Sequence, residues 1–136
     1  MKRNLLIAAA LALLGITAAS AQTVNVKANV PFSFTVNRAT LPAGEYSLKS
    51  MDEQGTAIAI RDLNSNATKL VISNSCRSSE SASQTKLVFH RYGNHYFLSQ
   101  IWTAGDNAGR ELLPTAGEKE EARNSSMQEV ILAAKR

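Results

Sequence analysis

Lys86–Trp102 reads KLVFHRYGNHYFLSQIW, and the way this stretch folds decides what the rest of the chain can be. Two runs rich in β-branched and aromatic residues flank Gly93-Asn94. Glycine at the first central position of a two-residue loop suits a type II′ turn, whose twist matches that of the strands it joins. Such a hairpin has a fixed register: Tyr92 opposite His95, Arg91 opposite Tyr96, His90 opposite Phe97, and Phe89 opposite Leu98. Strict alternation then sorts the side chains. One face carries Leu87, Phe89, Tyr96, Leu98 and Trp102, with Arg91 and Gln100. The other carries Val88, Tyr92, Phe97 and Ile101, with Lys86, His90, His95 and Ser99. The first face is the more apolar and is expected to meet the core, where burial is worth about 1.5–3 kcal/mol for each large apolar side chain.

Upstream of the hairpin the same period of two recurs. Val24, Val26, Ala28 and Val30 share a face, as do Phe32, Phe34 and Val36, then Tyr46 and Leu48, then Ile58 and Ile60. Turn chemistry separates these runs at Leu41–Gly44 (LPAG), at Asp52–Gly55 (DEQG) and around Leu63–Ala67. TKLVISN is a further strand, and serine-rich Asn74–Gln84 reads as a mobile loop. After Trp102, TAGDNAG reads as loop. Thr115 and Glu118 have the spacing of a capping box and predict a short helix over about 117–123. QEVILAAK is expected to close the fold as a strand. The predicted fold is all-β: an antiparallel β-sandwich or small barrel of about seven to eight strands with one short C-terminal helix. No helix separates successive strands, which argues against a parallel α/β sheet.

The N-terminus sets the expected compartment. Lys2-Arg3, the apolar run Leu5–Leu14 and Ala19-Ser20-Ala21 have the three parts of a secretory signal peptide, with cleavage expected after Ala21. The run is shorter than the roughly 20 residues needed to span a bilayer. The expected mature chain, 136 − 21 = 115 residues, is one domain, periplasmic or secreted. Without Lys2 and Arg3 the net charge falls from +4 to +2. The cations are scattered along the sequence, which suggests neither a nucleic-acid partner, nor an anionic membrane surface, nor stable membrane insertion. Cys76 is the single cysteine, so no internal disulfide forms.

The hairpin also holds both histidines, the single tryptophan and two of the three tyrosines. His90, Arg91, Tyr92, His95, Tyr96 and Trp102 are therefore the candidate binding residues, within a segment read first as a wall of the core. His90 and His95 share a face as diagonal neighbours about 7–8 Å apart. They are the weak candidates for a metal pair, which would need a further ligand such as Asp106 or Glu111. Trp102 with Tyr96 could form a stacking platform for a sugar ring, Arg91 could stack on Tyr96, and EKEEAR reads as a solvated helix face. No nucleophile elbow, zinc-protease helix or phosphate loop is present, and no cofactor is implied. The expectation is a non-catalytic binding or scaffold domain with an envelope or extracellular partner. The alternatives are a metal-dependent or acid–base enzyme centred on His90 and His95, and a structural subunit that self-associates through a strand edge.

VPFSFTVNRATLPAGEYSL and KLVFHRYGNHYFLSQIWTAGDNAGREL together resemble a family of short, secreted, uncharacterised bacterial β-rich proteins. Its pattern is a V-P-F-x-F-x-V strand, an L-P-A-G-x-Y turn, an F-H-R-Y-G-x-x-Y-F-L-S-Q hairpin and a G-R-E-L segment. The resemblance implies an exported all-β domain and no particular reaction. Leu113, which lengthens the usual E-L-P, and Cys76 depart from the pattern.

Overall fold

The computed structural model describes residues 23–136. The expected leader and its cleavage point after Ala21 lie outside them.

The alternating runs become strands that pair into two sheets. The first sheet contains β1 (Asn25–Val30), β4 (Gly44–Ser50), β5 (Ala57–Asp62) and β6 (Thr68–Ile72), in the order β1-β4-β5-β6 and antiparallel throughout. The second runs β11-β8-β9-β10-β7, from β11 (Met127–Ala133) through β8 (Lys86–Tyr92), β9 (His95–Trp102) and β10 (Ala108–Glu111) to β7 (Asn74–Arg77). A small hairpin, β2 (Phe34–Val36) and β3 (Ala39–Leu41), joins it where Thr35 pairs in parallel with Phe97. A helix, α1 (Ala116–Asn124), precedes β11.

The two sheets share one apolar core, giving a sandwich-like all-β fold that does not close into a barrel. Val26, Leu48, Ile58 and Ile60 meet Leu87, Phe89, Leu98 and Ile101. Phe34 contributes edge-on contacts to both Tyr46 and Phe89. At one side the sheets touch through Lys27 and Lys135, whose backbones exchange two 2.8 Å hydrogen bonds. At the other, the chain steps from β6 to β7 through the buried Ser73. Tyr46 explains the L-P-A-G-x-Y spacing: its hydroxyl reaches back 2.5 Å to the Pro42 carbonyl and pins the turn.

The eleven strands among the described residues exceed the seven to eight expected, and the excess lies where composition hides a strand. Serine-rich Asn74–Arg77 is not loop but the edge strand β7, which buries little and therefore shows no apolar alternation. β10 is AGRE, without a single β-branched residue. β3 has only three residues. The helix and the closing strand form where expected, and Thr115 caps the helix by accepting the Glu118 N–H.

The hairpin turn also forms as expected. Gly93 has φ +61°, and Asn94 is not among the described residues with positive φ, in keeping with a type II′ turn. The predicted register holds from Tyr92–His95 to Phe89–Leu98 and then breaks, because Val88 pairs with Gln100. Ser99 is the extra residue of a β-bulge. From there the faces exchange: Ile101 turns into the core beside Leu87, and Trp102 turns out of it. The assignment of Trp102 to the core face and Ile101 to the outer one is thus reversed by one inserted residue. The bulge also divides the free side of β9. β2 pairs near its start and β10 near its end, and the Leu112 N–H donates to the Ser99 carbonyl between them.

Candidate functional site

Helix α1 lies against the outer face of the β8–β9 hairpin, and polar groups attach it. Among its own residues only Glu118 is buried. The Glu118 carboxylate accepts from two directions at one oxygen: His90 Nδ1 lies 2.9 Å from Oε2, and the Tyr92 hydroxyl donates to it at 3.0 Å. One turn later, Glu121 Oε1 lies 2.6 Å from His95 Nδ1. An ionised carboxylate only accepts, so each imidazole presents an Nδ1–H to its glutamate. Residues three apart share a helix face, and the two glutamates thereby match the diagonal spacing of the two histidines. EKEEAR is consequently more than a solvated face, since two of its five charged residues, Glu118 and Glu121, grip the sheet. The spacing of three was visible in the sequence; the element it faces was not.

The six candidate binding residues divide. His90, Tyr92 and His95 come together under the helix. Arg91 lies on the other side of the strand with Tyr96, its guanidinium carbon 5.4 Å from the ring centroid, and its Nε donates to the Gly93 carbonyl at 2.7 Å. Tyr96 stacks on Phe32 at 3.9 Å and 15° and packs against the core. Trp102, turned out by the bulge, donates from Nε1 to Gln100. A Tyr96–Trp102 sugar platform is therefore ruled out, because the two rings occupy opposite faces of β9. The two histidines are drawn to separate carboxylates. Among the described residues no group of three His, Cys, Asp or Glu side chains is placed to hold a metal ion, and Asp106 and Glu111 supply no third ligand to the histidine pair.

Burial and the adjoining Glu118 carboxylate both disfavour a phenolate at Tyr92, raising its pKa, and burial with Asp62 nearby does the same at Tyr46. Both should therefore ionise above the ordinary value of 10.0. A raised tyrosine pKa means that the unfolded chain releases its proton first. The corresponding stability is intact below pH 10.0 and is lost as pH climbs through the folded-state values. Alkaline titration followed by phenolate absorbance should show two late tyrosines that revert to ordinary behaviour in denaturant. Early ionisation of both in the native protein would contradict the packing described.

A cleft of about 970 Å³ opens beside His95. Thr35, Arg38 and Thr40 of the β2–β3 hairpin, Lys69, Phe97 and the start of α1 line it. Its walls offer hydroxyls and cations to a ligand. Sequence reasoning missed this wall because its residues come from four separated segments.

A second polar cluster sits inside the fold. Arg110 of β10 is only 5% exposed. Its Nε donates to Ser73 Oγ at 2.9 Å, and Nη2 donates to the Ser73 carbonyl at 2.7 Å. Nη1 reaches the Gln54 carbonyl at 3.5 Å. Ser73 Oγ in turn donates towards the Gly55 and Thr56 carbonyls. One guanidinium thus fastens the β4–β5 turn and the β6–β7 crossing to the other sheet. Gly109 beside it has no room for a Cβ, which would fall 2.8 Å from the Trp102 ring and 2.9 Å from the Ile101 carbonyl. The G-R-E-L segment is thereby accounted for as structure. Cys76 pairs with Gly109 across β7–β10, and burial, with Glu111 nearby, raises its thiol pKa, which keeps it protonated.

No family model, curated protein or solved structure matches this chain.

Proposed function

We propose that this is an exported, non-catalytic binding or scaffold module acting in the periplasm or outside the cell, with its contact region at the His95 end of the hairpin and the cleft beside it. One observation carries the reading. His90, Tyr92 and His95 of the hairpin are engaged in docking α1, and the adjoining cleft presents hydrogen-bonding and cationic groups from Thr35, Thr40, Arg38 and Lys69. Such walls suit recognition better than bond-breaking, which needs a nucleophile or acid–base pair aimed at one point. The signal-like leader and the resemblance to secreted β-rich proteins support the compartment.

The test is affinity capture from a cell-envelope extract with the wild type and with Thr40→Trp, which fills the cleft mouth from an exposed position. Capture of a defined partner by the wild type and its loss in Thr40→Trp is the expected result. Equal capture by both would place the contact elsewhere.

The alternative, acid–base chemistry at His90, draws on the Glu118–His90 pair. A carboxylate at Nδ1 orients an imidazole and leaves Nε2 as a base. Turnover in a hydrolase substrate screen, lost in a folded His90→Gln variant, would favour it.

A further inference from the structure

We propose that the outward face of the β1-β4-β5-β6 sheet docks on an anionic lipid surface. The inference is independent of the cleft and its ligand, because α1 covers the other sheet and leaves this face open.

The register places the side chains in rows. Lys27, Ser47, Arg61 and Thr68 form one row across the four strands, and Asn25, Lys49, Ala59 and Leu70 form the next. The last row holds Ala57 and Ile72, with Met51 beside Ala57 through a 2.8 Å backbone hydrogen bond. Solvated outward positions of an antiparallel sheet are ordinarily polar. Here Met51, Leu70 and Ile72 stand 61%, 62% and 68% exposed at one corner. Inside that corner lie Lys49 and Arg61 on the central strands, with Lys27 beyond them on the far edge strand. Among the described residues the ion pairs are His90–Glu118, His95–Glu121 and Arg123–Glu120, so none of these three cations has an acidic partner. Glu45, one row further out opposite Asn29, is the single acid among the outward strand positions, while Asp52 and Glu53 follow Met51 in the turn, where Asp52 Oδ1 accepts the Ala57 N–H at 2.9 Å. In the sequence these cations look scattered; strand pairing gathers them.

Apolar side chains beside unpaired cations fit an anionic bilayer. The apolar corner enters the headgroup boundary, and the cations meet the lipid phosphates. This is peripheral docking rather than insertion, and no helix among the described residues is long and apolar enough to cross a membrane. A second copy of the chain fits less well on two counts. A two-fold pairing of this face would set its cations against their own copies. Edge-to-edge pairing through β6 meets Lys69, which points to the same side as Ile60 and Val71, an inward charge of the kind that blocks sheet extension.

The experiment is flotation of the purified protein with phosphatidylglycerol vesicles and with phosphatidylcholine vesicles, at low and high salt. The expected result is salt-sensitive flotation with phosphatidylglycerol alone. Binding should weaken roughly fivefold for each cation neutralised in Lys49→Gln and Arg61→Gln, and should also fall in Ile72→Ser. All three positions are exposed, so the variants should keep the wild-type circular dichroism spectrum. Absence of flotation on phosphatidylglycerol would overturn the proposal. So would equal flotation on phosphatidylcholine, unchanged binding by the variants, or a dimer in light scattering that Ile72→Ser dissociates.

Discussion

Replacing Arg110 with methionine will lower the unfolding free energy by about 3 kcal/mol, because two good hydrogen bonds from a charged donor disappear at once. The side chain donates to Ser73 Oγ at 2.9 Å and to the Ser73 carbonyl at 2.7 Å, and both acceptors belong to a residue that water barely reaches. Each such bond is worth about 1.5–3 kcal/mol. Against their sum stands the relief of no longer burying a charge without an acidic neighbour, a cost that methionine, with comparable reach and no charge, avoids. The loss of the bonds should win because Ser73 is the crossing between sheets. Arg110→Lys should also destabilise, since one ammonium cannot reproduce the planar fork that serves two acceptors of the same residue. Urea unfolding measures both. A change of under about 0.5 kcal/mol for methionine, the scale of an ordinary surface substitution, would mean that the clamp contributes nothing.

The second large effect is expected at Glu118. It is 6% exposed, accepts from His90 and Tyr92, and is the single buried residue of its helix. Glu118→Ala removes both contacts and leaves the Tyr92 hydroxyl without its acceptor, a cost of about 1–3 kcal/mol. The helix has no apolar stripe to hold it in place afterwards, and nine residues in water are too few to remain helical alone. Segment 116–124 should therefore open before the sheets do. Limited trypsin digestion reads this directly, because Lys119 and Arg123 lie in the helix. Rapid cleavage there in Glu118→Ala, with the β-sheet circular dichroism intact, is the expected outcome. Wild-type resistance at both sites would show that some other contact docks the helix.

The architecture was legible wherever burial is one-sided. Val26 and Leu48 alternate with polar neighbours, and Ile58 and Ile60 with alanine and arginine, because each strand has one wet face and one dry face, and that contrast is written into the residues. β7 and β10 were not legible for the same reason in reverse. β7 is almost wholly wet, and β10 owes its burial to a glycine beneath an indole and to an arginine held by carbonyls. Neither leaves an apolar period. Within the candidate site, the shared side of His90 and His95 followed from the register of the turn. Their glutamate partners did not, since a contact between residues 28 positions apart, or 26, depends on where a helix comes to rest. The Trp102 error has a different origin. A period of two carries no mark of where it skips, and Ser99 looks like any other polar position between Leu98 and Gln100.

Ser99 gives the hairpin something like a reading frame. Up to Leu98 the strand is counted from the glycine turn; beyond it, the count starts again one place later. Exchanging the serine for another small side chain leaves that count alone. Deleting it would close the bulge and leave Gln100, Ile101 and Trp102 in plain alternation with Leu98, still opposite Val88, Leu87 and Lys86, so this one residue sets the bend of the strand and not which side chains it buries.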